Sequence, residues 1–173
     1  MKKTAAARRT AGGKTASSAA GRTAGPVIDD LGKKILRVLN ENARRSFREV
    51  AKRIGVSAPV VIHKVKQLES SGALRGYIPL VDPAALGLDL TAVIALRISK
   101  GQLLETQERI AKDPRVRAVY DITGEWDSLV VGLFRGRDDL NAFIKNLLAQ
   151  PNVDRSVTHI VLNTVKEESR VPV

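Results

Sequence analysis

The chain is 173 residues long, enough for one domain or two small ones. It has no cysteine, which excludes a disulfide framework, a thiol nucleophile and a Cys-based zinc site. Its formal net charge of +11 favours a polyanionic partner, and that charge is segregated: +6 over residues 1–26, +6 over 27–80 and −1 over 81–173.

Residues 1–26 are Ala, Thr, Gly, Ser, Lys and Arg, with no large apolar side chain after Met1. Such a segment cannot bury enough apolar surface to offset the entropy of ordering, so a disordered basic arm is expected. It would either touch phosphates without sequence preference or serve only as a solubilising tail. No apolar segment follows its basic residues, so it is not a secretory signal, and no apolar run in the chain is long enough to span a bilayer.

Residues 27–72 carry the pattern of a helix-turn-helix unit. A first helix is expected over 28–42, capped by Asp29 or Asp30, with Leu31, Ile35, Val38 and Leu39 on one face. A second starts at Ser46, where Ser46 and Glu49 form a capping box, and ends at Gly55, with Val50, Ala51 and Ile54 inward. Ser57 is the next expected N-cap, and Pro59 is tolerated in the first turn of the third helix. Val61, Val65 and Leu68 recur at helical spacing and face inward, which leaves Pro59, His63, Lys66 and Gln67 outward and Lys64 on the flank. Gly72 ends this helix, which could enter a DNA major groove.

Residues 73–89 read as a hinge: an extended segment over 73–81, in which Pro79 argues against a central strand, then a loop at Asp82-Pro83 and Gly87. Residues 90–168 alternate elements. Strands are expected over 91–99, 116–123, 128–134 and 157–165, and helices over 101–112 and 138–150. In the second strand Val116, Ala118, Tyr120 and Ile122 are expected on the buried face. The order is β-α-β-β-α-β, the ferredoxin-like arrangement. The fold class is therefore α+β: an N-terminal winged helix-turn-helix, a C-terminal ferredoxin-like βαββαβ domain and a short tail at 169–173.

This architecture and its motifs resemble the Lrp/AsnC family of transcriptional regulators over about residues 28–168. The resemblance is carried by Ile28-Asp29, Ile35-Leu36, Glu49-Val50-Ala51, Ile54-Gly55-Val56-Ser57, Val61, Lys64-Val65, Leu68-Glu69, Gly72, Gly76-Tyr77, Gly124-Glu125-Trp126-Asp127 and Val165-Lys166. It implies a dimer formed through the C-terminal sheets, often assembled into a tetramer or octamer, with an amino acid or similar effector bound between subunits of neighbouring dimers. The effector residues that it implies are Thr123, Gly124, Glu125 and Asp127 in the loop, with Ser156 and Thr158 in the last strand. Two positions depart from the family pattern. Gly32 replaces an Asp of the opening helix and is expected to weaken it by about 1 kcal/mol relative to Ala. Glu125-Trp126 replaces the commoner pair in the loop.

The residues expected to meet double-stranded DNA are Arg44, Arg45 and Ser46 at the start of the second helix, and Ser57, Ala58, Pro59, His63, Lys64, Lys66 and Gln67 on the third. His63 and Gln67 can bond base edges, and Lys64 and Lys66 can meet phosphates or guanine acceptors. Arg44 and Arg45 lie where free amides and cations would converge on a phosphate. At the loop, Asp127 can hold an α-ammonium and the amides near Gly124 a carboxylate; the alternative is a β-turn in which the Asp bonds its own backbone. Trp126 can stack on a ligand, pack in an interface or cover the core. No catalytic constellation, metal site or cofactor is expected: the two histidines, His63 and His159, are far apart in sequence. Sirohaem decarboxylases are similar in architecture but need histidines around a tetrapyrrole. The expected function is a sequence-specific, cytoplasmic and nucleoid-associated transcriptional regulator, with no membrane partner. The alternative is a chromatin-like architectural protein without an effector.

Overall fold

The computed structural model describes residues 26–99 and 101–173. The basic arm expected over 1–26 lies, all but Pro26, outside the described residues.

Helix α1 (Asp30–Glu41) begins where Asp29 is extended and its carboxylate accepts the Gly32 amide at 2.9 Å. That satisfies one of the amides a helix N-terminus leaves open. Helix α2 (Phe47–Ile54) has the expected capping box: the Glu49 amide donates to the Ser46 hydroxyl, and the Ser46 amide donates to Glu49 Oε2 at 2.7 Å. It stops at Gly55, whose φ of 74° is left-handed and favours a residue without a Cβ. Helix α3 (Ala58–Ser70) follows. Ser57 stands at its N-cap position, but, against expectation, its hydroxyl makes no capping bond. Ile35, Val38 and Leu39 from α1, Val50 and Ala51 from α2, and Val61 and Val65 from α3 form one buried cluster.

Gly32 has a different role from the one expected. It is buried, and a methyl group there would come within 2.7 Å of Ile28 Cγ2 and 3.1 Å of Asp29 Oδ1. The helix-propensity gain expected from alanine meets this crowding, which itself costs energy in a packed site.

Residues 73–81 form no ladder, so the wing expected after α3 is an extended, unpaired segment that leaves Ile78, Leu80 and Val81 exposed. Tyr77 Oη anchors its start by donating to Glu69 Oε1 at 3.2 Å. A single 3₁₀ turn at Ala84–Leu86 leads into the second half.

That half comprises β1 (Leu90–Ile98), α4 (Leu103–Ile110), β2 (Val116–Asp121), β3 (Ser128–Phe134), α5 (Arg137–Leu148) and β4 (Val153–Ile160). The sheet order is β2-β3-β1-β4, antiparallel throughout. One face packs on the helices: Ala92, Ile94, Leu96, Val130 and Phe134 meet Ile110, Leu140, Phe143 and Leu147 in a second core. Two expectations about this sheet are corrected. In β2 a register shift between Val116 and Ala118 inserts one extra residue, so Val116 and Val119 pack on the core while Tyr120 turns to the open face and stays exposed. A bulge reverses the parity of every later side chain, which simple alternation cannot anticipate. The last strand starts at Val153 rather than 157: Val153 is a core residue paired with Ile98, whereas Leu162 and Val165 are exposed.

The face opposite the helices carries cross-strand rows: His159–Val93–Val131–Ala118 and Val157–Ala95–Leu129–Tyr120. Beyond β4 the chain returns to the first domain. Arg37 Nε donates to the Val173 carbonyl at 2.7 Å and Asn40 Nδ2 donates to the Val171 carbonyl at 2.9 Å, while on the way Glu167 pairs with Arg117 of β2 at 2.6 Å. On α4 the Thr106 hydroxyl and the Gln107 amide nitrogen are buried without a partner among the described residues, an adverse feature in a packed interior.

Arg115 joins β2 to α5. Its guanidinium bonds Asp113 at 2.7 Å and Asp139 at 2.8 Å and lies over the Phe143 ring, 5.0 Å from its centroid. The Asp139 carboxyl is held below its usual value, first by the Arg135 amide and then by Arg115; that of Asp113 is lowered by Arg115. Carboxyls depressed in the folded state stabilise it above their unfolded pKa, and the contribution disappears as pH falls through the folded value. Asp139→Asn is therefore expected to cost about 1–2 kcal/mol at pH 7. In urea unfolding the gap to the parent should narrow as pH falls below the ordinary aspartate range and close once pH has passed through the depressed folded value of Asp139, where the carboxyl is protonated in both folded and unfolded chains.

Candidate nucleic-acid interface

Helix α3 buries Val61, Val65 and Leu68, so the opposite surface is fixed outward. Pro59, His63, Lys66 and Gln67 are all exposed there, as expected. His63 Nε2 and Gln67 Nε2 lie 3.1 Å apart, one turn from each other, so the two polar heads form one coupled group. The N-terminus of α3 is open. Its first turn has no acidic residue, and the Ser57 hydroxyl, which makes no cap, is exposed beside Ala58. The positive end of the helix dipole can meet a phosphate there.

The other expected DNA contacts are placed differently. The start of α2 holds the Glu49 carboxylate, with the Ser46 hydroxyl donating to it at 2.7 Å. Ser46 pulls that carboxyl below its usual value. A fixed anion thus occupies the point where a phosphate was expected, and Ser46 is engaged in capping. Glu41 Oε2 lies 3.5 Å from Arg45 and 2.7 Å from Arg53, so Arg45 is partly neutralised. The Arg44 amide donates to Asn42 Oδ1 and its side chain is exposed.

Lys64 is the sharpest difference. Its Nζ lies 2.6 Å from Asp29 Oδ2, and its side chain is only 18% exposed. Asp29 accepts from Lys64 and from the Gly32 amide, and Lys64 is the first cause of its lowered pKa. Lys64 therefore ties α3 to the cap of α1. The stripe on the wheel put Lys64 on the flank but could not say what stood beside that flank. Exposed cations that sequence reasoning passed over are Arg48 and Lys52 on α2. The preponderance of basic residues in the unit is the signal that could have found them.

In the second domain the Gly124–Asp127 loop is strapped to the sheet. The Asp127 amide donates to the Leu96 carbonyl at 3.0 Å, and Asp127 Oδ2 accepts the Ile98 amide at 2.9 Å, with Arg97 Nε 3.6 Å away. The Asp127 side chain thus bonds the backbone of β1 rather than its own turn, which is closed by the Ile122 amide donating to the Asp127 carbonyl at 3.2 Å. Arg97 also donates to the Glu125 carbonyl, and Arg155 bonds Glu125 Oε1 at 2.8 Å and lies over the Trp126 ring at 4.5 Å. Arg97 and Arg155 stand directly opposite each other on neighbouring strands, an unfavourable like-charge pair that Glu125 offsets. Neither arginine was expected at this site. Ser156 and Thr158 pair with Leu96 and Ile94, so they share the helix-side face, whereas Arg97 and Arg155 are on the open face. Within one chain the loop and these two hydroxyls do not converge. Thr123 is exposed beside the loop. A cavity of about 350 Å³ lined by Arg115, Arg117, Arg135 and Asp139 lies elsewhere.

Comparison with known proteins resolves the identity. The AsnC-type helix-turn-helix domain matches residues 28–69, and the Lrp/AsnC ligand binding domain matches residues 91–171. The chain belongs to the Lrp/AsnC family of transcriptional regulators. An uncharacterized HTH-type transcriptional regulator of Pyrococcus furiosus is 39% identical over 144 residues, 83% of this chain and 97% of that protein. The leucine-responsive regulatory protein of Rhizobium meliloti is 33% identical over 150 residues, 84% and 96% of the two chains. Among solved structures, a transcriptional regulator of Neisseria meningitidis in complex with L-Met superposes with a TM-score of 0.79 at 30% identity, covering 84% of this chain and 97% of that one. The protein is a DNA-binding transcriptional regulator with a ligand-binding domain, not an enzyme, and no described helix is long and apolar enough to cross a membrane.

The positions of the two lysines lead to opposite expectations in DNA titrations. Lys66→Gln should lower the slope of log affinity against log salt by about one per bound protomer, as loss of a phosphate contact does. Lys64→Gln should weaken specific binding and leave that slope unchanged. A slope reduced equally by both would place Lys64 on the phosphates.

Proposed function

We propose that this regulator binds a defined operator sequence as a dimer or higher oligomer, and that an amino acid or related small molecule changes that binding. The observation that carries the DNA half is the outward face of α3, where the coupled His63–Gln67 pair and Lys66 sit behind an uncapped helix start. Ser57, Ala58 and Pro59 lie at the start of that helix, and Arg44, Arg45 and Ser46 lead into α2. Two such helices related by a two-fold axis would meet successive major-groove faces, so the operator should be roughly palindromic.

The open sheet face supports self-association. Val93, Leu129, Val131, Tyr120 and Val157 ring the buried Ala95 on one apolar face that no element among the described residues covers. A second copy of the same sheet would bury it face to face, as the ferredoxin-like half otherwise leaves this side to water. Assembly of dimers into tetramers or octamers would bring the Thr123–Asp127 loop of one chain to the Ser156 and Thr158 edge of another, which a single chain does not do. The remaining Asp127 oxygen, which has no partner among the described residues, would then hold the ammonium of an amino acid. The L-Met complex of the Neisseria meningitidis relative makes methionine the first effector to try. A cytoplasmic, nucleoid-associated location follows from this role.

The second reading, an architectural protein without sequence preference, is favoured by the +6 charge on residues 1–26. Selection of bound duplexes from a random pool, repeated with a panel of amino acids, separates the two. The regulator proposed here enriches a palindromic sequence, and at least one amino acid, methionine first, shifts its affinity or its oligomer size. Binding that enriches nothing and falls with salt equally on all sequences would support the architectural reading.

A further inference from the structure

Two side chains on α3 belong neither to the core nor to its polar reading face. Val60 is 42% exposed and Ile62 is 38% exposed, and neither packs against the three-helix core, which takes Ala58, Val61 and Val65 from this helix. β-Branched residues are poor choices for an exposed helical position, because the preceding turn restricts their side-chain rotation and no packing compensates. In the run Pro59-Val60-Val61-Ile62 only Val61 is buried. A local choice that works against the helix and gains nothing from the fold points to use at the surface.

Their position says what that use is. Val60 precedes His63 by three residues and Gln67 by seven, and Ile62 precedes Lys66 by four, so one apolar side chain stands on each side of the polar strip. The partner that fits an apolar–polar–apolar face on a basic unit is the edge of a DNA duplex. The major groove presents donors and acceptors together with one apolar group, the thymine 5-methyl. A protein partner for the same two residues would have to accept the exposed cations of α2 and the open positive end of α3.

We propose that Val60 and Ile62 are sequence-reading residues that seat thymine 5-methyl groups on either side of the bases addressed by His63 and Gln67. This rests on α3 being the DNA-reading helix. It gives the protein a preference for T·A over C·G at the flanking positions that hydrogen bonding alone does not supply.

The test uses the full chain and the duplex enriched from a random pool. Each thymine is exchanged in turn for deoxyuridine, which keeps every hydrogen-bonding group and deletes only the methyl. At least one thymine in each half-site should lose affinity about threefold to fivefold, the effect of one buried methyl. In Val60→Ala or Ile62→Ala the matching thymine and deoxyuridine duplexes should bind equally; circular dichroism confirms that each variant is folded, and the deoxyuridine series on the parent protein needs no variant. If every thymine tolerates the exchange, if the enriched half-site has no fixed thymine, or if the loss persists undiminished in both variants, the proposal is overturned while the regulator reading stands. A pool that enriches no sequence overturns both.

Discussion

The three-helix unit depends on a single carboxylate. Asp29 accepts the Gly32 amide and the Lys64 ammonium together, so the cap of α1 and the body of α3 share one anchor. An ion pair whose carboxylate is half open to water contributes little to stability by itself. Its importance is geometric. The apolar stripe of Val61, Val65 and Leu68 presses α3 onto the core but leaves some freedom of rotation and tilt, and Lys64 removes it. Gly32 is part of the same device, because any larger residue crowds Ile28 and Asp29 at the point where the lysine stem passes. The face proposed to meet DNA is thus oriented by an ion pair on its flank.

The second domain repeats this economy around a different anchor. Strand β1 is central, paired on both sides, and its Leu96–Ile98 end receives the loop through the Asp127 amide and carboxylate. Arg97 and Arg155, which would repel each other across the ladder, both reach Glu125 instead. If the proposed effector sits at this loop, a charged ligand would compete with those bonds, which would couple its binding to the loop geometry. The return of the chain end to Arg37 and Asn40 on α1 gives the two halves a direct connection besides the 73–89 hinge.

Much of this was legible in the sequence, for identifiable reasons. The capping box at Ser46 and Glu49, the left-handed Gly55 and the stripe on α3 are local signals, and local signals survive folding. Strand Ser128–Phe134 was legible to the residue, since its flanking turns carry Gly124 and Gly136. Ser57 is a local signal that did not hold, since its hydroxyl makes no capping bond; the other failures are non-local. The β2 bulge depends on pairing with β3, and the start of β4 depends on Val153 finding the core across from Ile98. At the candidate site, the outward polar residues of α3 followed from the wheel. The diversion of Lys64 did not, because Asp29 is 35 residues away in sequence. Arg97 and Arg155 escaped notice because their role exists only once two strands are side by side. Val60 and Ile62 drew no reading from the sequence, because they flank the inward stripe of α3, and only packing shows that the core leaves them exposed.

Asp29→Asn tests the central claim most directly. Asparagine remains a good N-cap, so α1 keeps its start while the partner of Lys64 loses its charge. Measured on the enriched operator, with salt and effector held constant, specific affinity should fall several-fold while affinity for random duplex holds or rises. Simple electrostatics gives the opposite sign, since removing a negative charge near DNA favours binding. Specific affinity that stays the same or increases in Asp29→Asn would contradict the account.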